Sequence, residues 1–251
     1  MSAAPVLELR DLHKSFAETA IIRGVTLEVT RGQRHGLIGP NGAGKSTLFN
    51  LISGQFAPTA GDILLNGRSI AGLPPHLVNR RGLARSFQIT NLFPRMSVAE
   101  NLRIAVMGHH GHRFTLFRPV ARLNRVRQVV DEHLERLRLQ RRRNDMAGDL
   151  AYSEQRALEI GMALASEPEI LLLDEPTSGM SREESAYVVE LIREVTEGKT
   201  LLVVEHDMSV VFDLCDYASV LVYGEILASG PPETVRADRR VQEAYLGEEA
   251  A

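Results

Sequence analysis

The sequence predicts an α/β fold with a β-rich N-terminal part and a helical subdomain inserted at about residues 89–165. Three observations predict it. Gly39–Ser46 sets a glycine-rich run between a strand-like segment and a helix-like one. Ile170–Leu173 is an apolar run of strand length that ends in two carboxylates, Asp174 and Glu175. Between these two features the alternation of strand and helix signals lapses into an arginine-rich helical stretch, then resumes.

Taken in order, Val6–Leu12 alternates Leu7 and Leu9 with Glu8 and Arg10, as a strand with one wet face does. Strands at Ile21–Val29 and His35–Ile38 follow, and a helix after Lys45 is closed by Gly54. Asp62–Leu65 with Asn66-Gly67 reads as a strand entering a turn. Ser97 with Glu100 forms a capping box that opens a helix through about Met107. A turn-rich patch at Gly108–Arg113 precedes a helical stretch from about Val120 to Leu139. Alternation resumes with a helix from about Glu154 to Ala165 and the strand Ile170–Asp174. A second capping box, Ser181 with Glu184, opens a helix with Val188, Val189, Leu191, Ile192 and Val195 on its apolar face. Strand Leu201–Val204, a short helix from Met208, strands Ser219–Tyr223 and Glu225–Ala228, and a helical tail beyond Gly230-Pro231-Pro232 complete the chain. Residues 1–251 read as a single domain.

Composition bounds the function. The 251 residues are 44% hydrophobic and 24% charged, ordinary for a globular core. With 29 Lys+Arg against 32 Asp+Glu the net charge is −3, so no nucleic-acid partner is expected. Cys215 is the single cysteine, which excludes an intrachain disulfide and reads as a small buried hydrophobe. Met1–Pro5 has no basic region with a long apolar stretch after it, and no apolar run approaches the length of a membrane span. The expectation is a protein soluble by itself that serves a membrane only through partners.

Gly39-Pro40-Asn41-Gly42-Ala43-Gly44-Lys45-Ser46, followed by Thr47, satisfies the G-x-x-x-x-G-K-[ST] pattern in the strand–loop–helix context it requires. Its glycines let backbone N–H groups turn inward on phosphate oxygens, and the helix adds its positive end. Lys45 supplies a mobile charge, and the Ser46 hydroxyl is placed to ligate Mg²⁺ beside ATP. Asp174 would hold Mg²⁺ directly or through water, and Glu175 could polarise an attacking water or merely pair with a surface base. His206 follows a strand, where it could reach a γ-phosphate or be an ordinary loop histidine. Gln88 could ligate Mg²⁺ or water, although most loop glutamines do neither.

The order of these segments, with Leu150-Ala151-Tyr152-Ser153-Glu154-Gln155 between Gln88 and Asp174, resembles an ABC (ATP-binding cassette) ATPase over the whole chain. The chain is more specifically similar to the ATP-binding subunits of branched-chain amino acid-type importers. That likeness rests on Ala84–Gln88 with Phe93-Pro94-Arg95, on Leu158-Glu159-Ile160, on Val204–Met208 and on Ala244–Glu248. The resemblance implies a P-loop NTPase cassette that binds ATP with Mg²⁺ and hydrolyses it. It places Phe16 where an aromatic ring stacks on adenine; the alternative is a core aromatic near a strand end. It makes Glu175 the catalytic base, His206 a switch histidine and Gln88 the γ-phosphate sensor facing the membrane subunits. Ser178–Ser181 occupies the loop running between two ATP sites.

The family's signature, Leu-Ser-Gly-Gly-Gln, reads Leu150, Ala151, Tyr152, Ser153, Glu154 here. Ser153 in place of the second glycine is the sharper departure; its hydroxyl could replace the one lost at Ala151, or Ser153 could N-cap the following helix. The implied partners are a second cassette, homologous or identical, together with permease subunits and, indirectly, a solute-binding protein. The implied location is the inner face of the plasma membrane. A soluble cassette ATPase unconnected with transport, or a structural ATP-binding half-site, is the alternative. Two further clusters read as plain surface: His109-His110-Gly111-His112 as a solvated loop, and the arginines from Arg136 to Arg143 as a wet helical face, against a metal site and contact with anionic lipid respectively.

Overall fold

The computed structural model describes residues 4–86, 92–109 and 124–246. The chain begins with a long hairpin, β1 (Pro5–Phe16) against β2 (Thr19–Thr30). It continues through β3 (Arg34–Ile38), α1 (Lys45–Ile52), β4 (Ala60–Leu65), the two-residue β5 (Arg68–Ser69), α2 (Pro75–Arg80) and β6 (Leu83–Arg85). Helices α3 (Val98–His109), α4 (Asn124–Arg136) and α5 (Tyr152–Leu164) follow. Then come β7 (Ile170–Asp174), α6 (Arg182–Val195), β8 (Thr200–Val204), α7 (Met208–Leu214), β9 (Tyr217–Val222), β10 (Glu225–Gly230), α8 (Pro232–Ala237) and α9 (Arg239–Leu246).

These elements divide into two compact units. The first comprises residues 1–85, 169–175 and 198–251 and carries both sheets. One is antiparallel, in the order β2-β1-β4-β5; the other runs β10-β9-β3-β8-β7-β6. In the larger sheet β9, β3, β8, β7 and β6 are mutually parallel, and only β10 is antiparallel. Every residue of β7 and β8 is buried, as strands covered on both faces require, and this is why both read as unbroken apolar runs. Leu48, Phe49, Leu51 and Ile52 of α1 pack with Leu7, Leu9, Val25 and Ile63 of the antiparallel sheet in one hydrophobic core. Cys215 is buried, and desolvation pushes its thiol up to about 12, so it behaves as a hydrophobe rather than a nucleophile.

The second unit comprises residues 86–168 and 176–197. Two of its helices, α3 and α6, begin where the capping boxes place them. The Ser97 hydroxyl accepts from Glu100 N–H (3.2 Å) while the Glu100 carboxylate accepts from Ser97 N–H (2.8 Å). Ser181 and Glu184 repeat the arrangement at 3.3 and 2.9 Å, and these bonds hold the Glu184 carboxyl below its ordinary range.

Several local expectations are corrected. Helix α3 runs through Gly108 to His109 rather than yielding to a turn at Gly108. Residues 110–112 of the histidine cluster, and 120–123 of the following stretch, lie outside the described residues. The arginines after α4 keep the expected wet face, with Arg138 and Arg142 exposed and Arg143 half-buried, and these three are also paired. Arg138 meets Glu194 at 2.7 Å and Glu190 at 3.6 Å, Arg142 meets Asp145 and Glu154, and Arg143 meets Asp131. They bind the helices of this unit to one another, because α6 and the start of α5 supply carboxylates that no local sequence window contains.

Candidate functional site

Parallel pairing sets the stage for the site. Leu37 of β3 is level with Val204 of β8, which is level with Asp174 of β7. The carboxyl ends of three adjacent strands therefore deliver Gly39, Glu205-His206 and Asp174-Glu175 to a single sheet edge, the position where open α/β sheets place their ligands. Gln88 follows β6 in sequence and lies outside the described residues.

The loop Gly39–Thr47 takes its shape from its glycines. Gly39 has φ +156°, and a Cβ there would sit 2.0 Å from the Leu221 carbonyl; Gly42 has φ +76° and opens onto free space. Gly44 (φ 105°) is the residue before α1, packed against Ile21 and Ile22 of β2. The first helical bond runs from Leu48 N–H to the Gly44 carbonyl (2.9 Å), so the N–H groups of Lys45, Ser46 and Thr47 precede the helical ladder. Such a ring of donors around a glycine-lined opening is what an anion requires. The nearly buried Lys45 donates from Nζ to the carbonyls of Gly39 (2.5 Å) and Pro40 (2.9 Å), folding its charge over the loop. Asn41 and Ser46 are exposed, Pro40 is half-buried and Ala43 is buried. Gly224, at the β9–β10 turn, donates to the Ala43 carbonyl (3.0 Å) and accepts from Arg23 N–H (2.9 Å), fixing the loop against β2.

Asp174 ends β7 almost wholly buried, and its Oδ2 accepts from Arg85 Nη2 at 2.7 Å. Glu175 takes the left-handed conformation (φ 42°), with its N–H on the Val204 carbonyl at 2.9 Å. That kink turns the largely buried Glu175 carboxylate out of the strand direction, and its Oε1 lies 3.8 Å from His206 Nδ1. His206 is 57% exposed, whereas its neighbour Glu205 is fully buried with Oε2 3.9 Å from the same nitrogen. The chemistry of this donor set suits Mg²⁺. Ser46 and Asp174 offer a hydroxyl and a carboxylate, both hard oxygen ligands, and Mg²⁺ characteristically takes only one or two protein ligands beside phosphates and water. No group of three His, Cys, Asp or Glu side chains able to cage a softer metal occurs among the described residues.

Phe16 stands at the tip of the β1–β2 hairpin, 43% exposed. It is therefore not a core aromatic. Its ring meets Phe56 edge-on (centroids 5.3 Å apart, 81° between planes), and Lys14 Nζ lies 5.0 Å from its centroid. The open ring is suited to stacking.

In the second unit, Leu150 is buried and Ala151 occupies the N-cap of α5 without a side-chain bond. Tyr152 begins the helix, 43% exposed, and Ser153 is its second residue, largely buried. Ser153 therefore does not N-cap the helix; the expected start at about Glu154 shifts by two residues. Glu154 takes over the capping role, its carboxylate accepting from Ala151 N–H at 3.1 Å, and Gln155 Nε2 donates back to the Leu150 carbonyl at 3.0 Å. The loop Ser178–Ser181 is closed by Met180 N–H on the Thr177 carbonyl at 3.2 Å.

Three participants carry no role in the sequence reading. Arg85 is the partner of Asp174, and its one local signal is a charged residue ending an apolar strand. Phe56 and Lys14 become neighbours of Phe16 only through the fold.

Comparison with known proteins bears on the fold and the family. Residues 22–178 match the family model described as ABC transporter, and residues 225–251 match that of the branched-chain amino acid ATP-binding cassette transporter. The high-affinity branched-chain amino acid transport ATP-binding protein BraF of Pseudomonas aeruginosa is 39% identical over 97% of this chain and 98% of its own length. LivG of Escherichia coli, of the same description, is 38% identical at the same coverage. The lipopolysaccharide export system ATP-binding protein LptB of Acidithiobacillus ferridurans is 35% identical, also over 97% and 98%. A crystal structure of the ADP conformation of an ATP-binding cassette of an ABC transporter superimposes with a TM-score of 0.86 at 28% identity, covering 98% of this chain and all of the other. The chain belongs to the ABC transporter family and has the fold of its ATP-binding cassette.

Proposed function

We propose that this chain is the ATP-binding and ATP-hydrolysing subunit of an ABC importer for branched-chain amino acids or related small solutes. The observation that carries the reading is the delivery of Gly39–Thr47, Asp174-Glu175 and His206 to one edge of a parallel sheet by three adjacent strands. In this reading the N–H groups of the loop and Lys45 grip the β- and γ-phosphates, and Phe16 stacks on adenine. Ser46 and Asp174 hold Mg²⁺, with Gln88 beside it as a metal ligand or γ-phosphate sensor. Mg²⁺, when bound, neutralises charge that develops on the phosphates. Glu175 orients and deprotonates the attacking water, and His206, within reach of the Glu175 carboxylate, stabilises the γ-phosphate.

Leu150–Gln155 serves the ATP of a second cassette, either another copy or a homologous chain, so that two chains complete two sites. No described helix is long and apolar enough to cross a membrane, which fits a subunit held at the inner face of the plasma membrane by separate permease chains and supplied by a solute-binding protein. The match of residues 225–251 to the branched-chain amino acid model favours amino acid import over the lipopolysaccharide export named for LptB. Purification of the native membrane complex tests this. Copurifying permease and solute-binding chains that bind amino acids are expected; an export complex, or an assembly without membrane subunits, overturns the transport reading.

A further inference from the structure

Arg85 ends β6 with its side chain 9% exposed, and it divides its donors between two parts of the site. Nη1 donates to Asn50 Oδ1 (2.7 Å) and Ser53 Oγ (2.8 Å), at the far end of the helix that Lys45 and Ser46 begin. Nη2 donates to Asp174 Oδ2 (2.7 Å), and the guanidinium plane lies over the Phe49 ring, 5.6 Å from its centroid. One rigid group thus joins the P-loop helix to the carboxylate that ends β7. A buried ion pair is in itself weak grounds for stability, because desolvation of both ions offsets their attraction. A planar fork whose two terminal nitrogens reach acceptors on two different segments does something an isolated pair does not: it fixes the distance and orientation between those acceptors.

We propose that Arg85 is a positioning residue that acts through Asp174, locking this carboxylate in register with α1 so that Asp174 and Ser46 are presented together to a magnesium–nucleotide complex. The inference rests on the reading of Asp174 as a metal ligand. It differs from two simpler roles. A competing counter-ion would hold Asp174 only until metal displaced it, and its removal would strengthen metal binding. A purely structural tie would change stability alone.

Titration calorimetry of the purified full chain with ATP, in Mg²⁺ and separately in EDTA, separates the three. Arg85→Lys keeps a charge for Asp174 but cannot bridge to Asn50 and Ser53 at the same time. The expected result is that the Mg²⁺-dependent gain in ATP affinity falls about tenfold, the range found when groups orienting a metal ligand are removed, with affinity in EDTA within about twofold of wild type. The double variant N50A/S53A leaves Arg85 and Asp174 in place and should lose part of the same gain, which keeps the test available if R85K does not fold. A larger Mg²⁺ gain in R85K or R85Q identifies a competing counter-ion and overturns the proposal. So does a lowered melting temperature with the Mg²⁺ gain unchanged. Asp174→Asn is the control: if it leaves the gain intact, the metal reading of Asp174 fails; if it abolishes the gain while R85K and N50A/S53A do not, only the role of Arg85 fails.

Discussion

Lys45 illustrates how a single residue is prepared for an anion. Its ammonium, 7% exposed as a residue, donates to two carbonyls of its own loop, contacts that a phosphate oxygen can replace with a charge-assisted bond. Lys45→Ala should therefore weaken ATP binding by about ten- to a hundredfold, the worth of one or two bonds to a charged group. Calorimetric titration measures it, and unaltered affinity would contradict the P-loop reading. Glu175 is prepared differently, by a left-handed backbone that swings its carboxylate from the strand toward His206. Glu175→Gln keeps the shape and removes the base, so ATP binding should persist while phosphate release by the assembled complex drops by roughly a hundredfold or more. Turnover at the wild-type rate would remove Glu175 from that role. Both residues were legible in the sequence because their motifs are local. Arg85 was not, since Asn50, Ser53 and Asp174 come from segments far from it in the chain.

At the scale of elements, capping chemistry and periodicity located most helices and strands. The two Ser–Glu capping boxes open α3 and α6 as expected, because each is complete within four residues. The start of α5 was misread for the same reason in reverse. Ala151 can supply no side-chain cap and Ser153 is the nearest local residue that could, whereas Glu154 satisfies the Ala151 N–H from within the first turn. Ser153 therefore sits inside the helix, where glycine costs backbone entropy. Ser153→Gly should destabilise the protein by up to about 1 kcal/mol in a denaturant titration. It should also change turnover at the partner's ATP site. Turnover that does not respond would leave Ser153 a purely structural helix residue.

The whole molecule carries a pH dependence that no motif announces. His35 of β3 is buried, with Nε2 bonded to Ser219 Oγ (2.9 Å) and no hydrogen-bond partner for Nδ1 among the described residues. Desolvation lowers its pKa from 6.5 to about 4. The folded state thus refuses a proton that the unfolded chain accepts below pH 6.5. Stability is complete above that pH and falls as pH drops toward 4, by about 2 kcal/mol at pH 5. Urea unfolding at pH 7.5 and pH 5 should show this loss, and His35→Gln should reduce it by about that amount. An unchanged pH dependence in the variant would show that other groups govern acid stability. At the same scale, α6 continues the strand–helix alternation in sequence, yet it belongs to the unit of α3, α4 and α5, tied there by Glu190 and Glu194 to Arg138.

The sequence by itself determined the fold class, the phosphate loop, the acidic end of β7 and the positions of the main strands. Each of these is written in a contiguous segment whose backbone and side-chain preferences act over a few residues. Only the tertiary structure decided that β8 lies between β3 and β7, bringing His206 beside Glu175. It likewise decided that Arg85 grips Asp174 and that the wet arginines after α4 are also cross-links to carboxylates elsewhere in their unit. Strand order and long-range ion pairs depend on which buried surfaces fit one another, and that is a property of the packed chain.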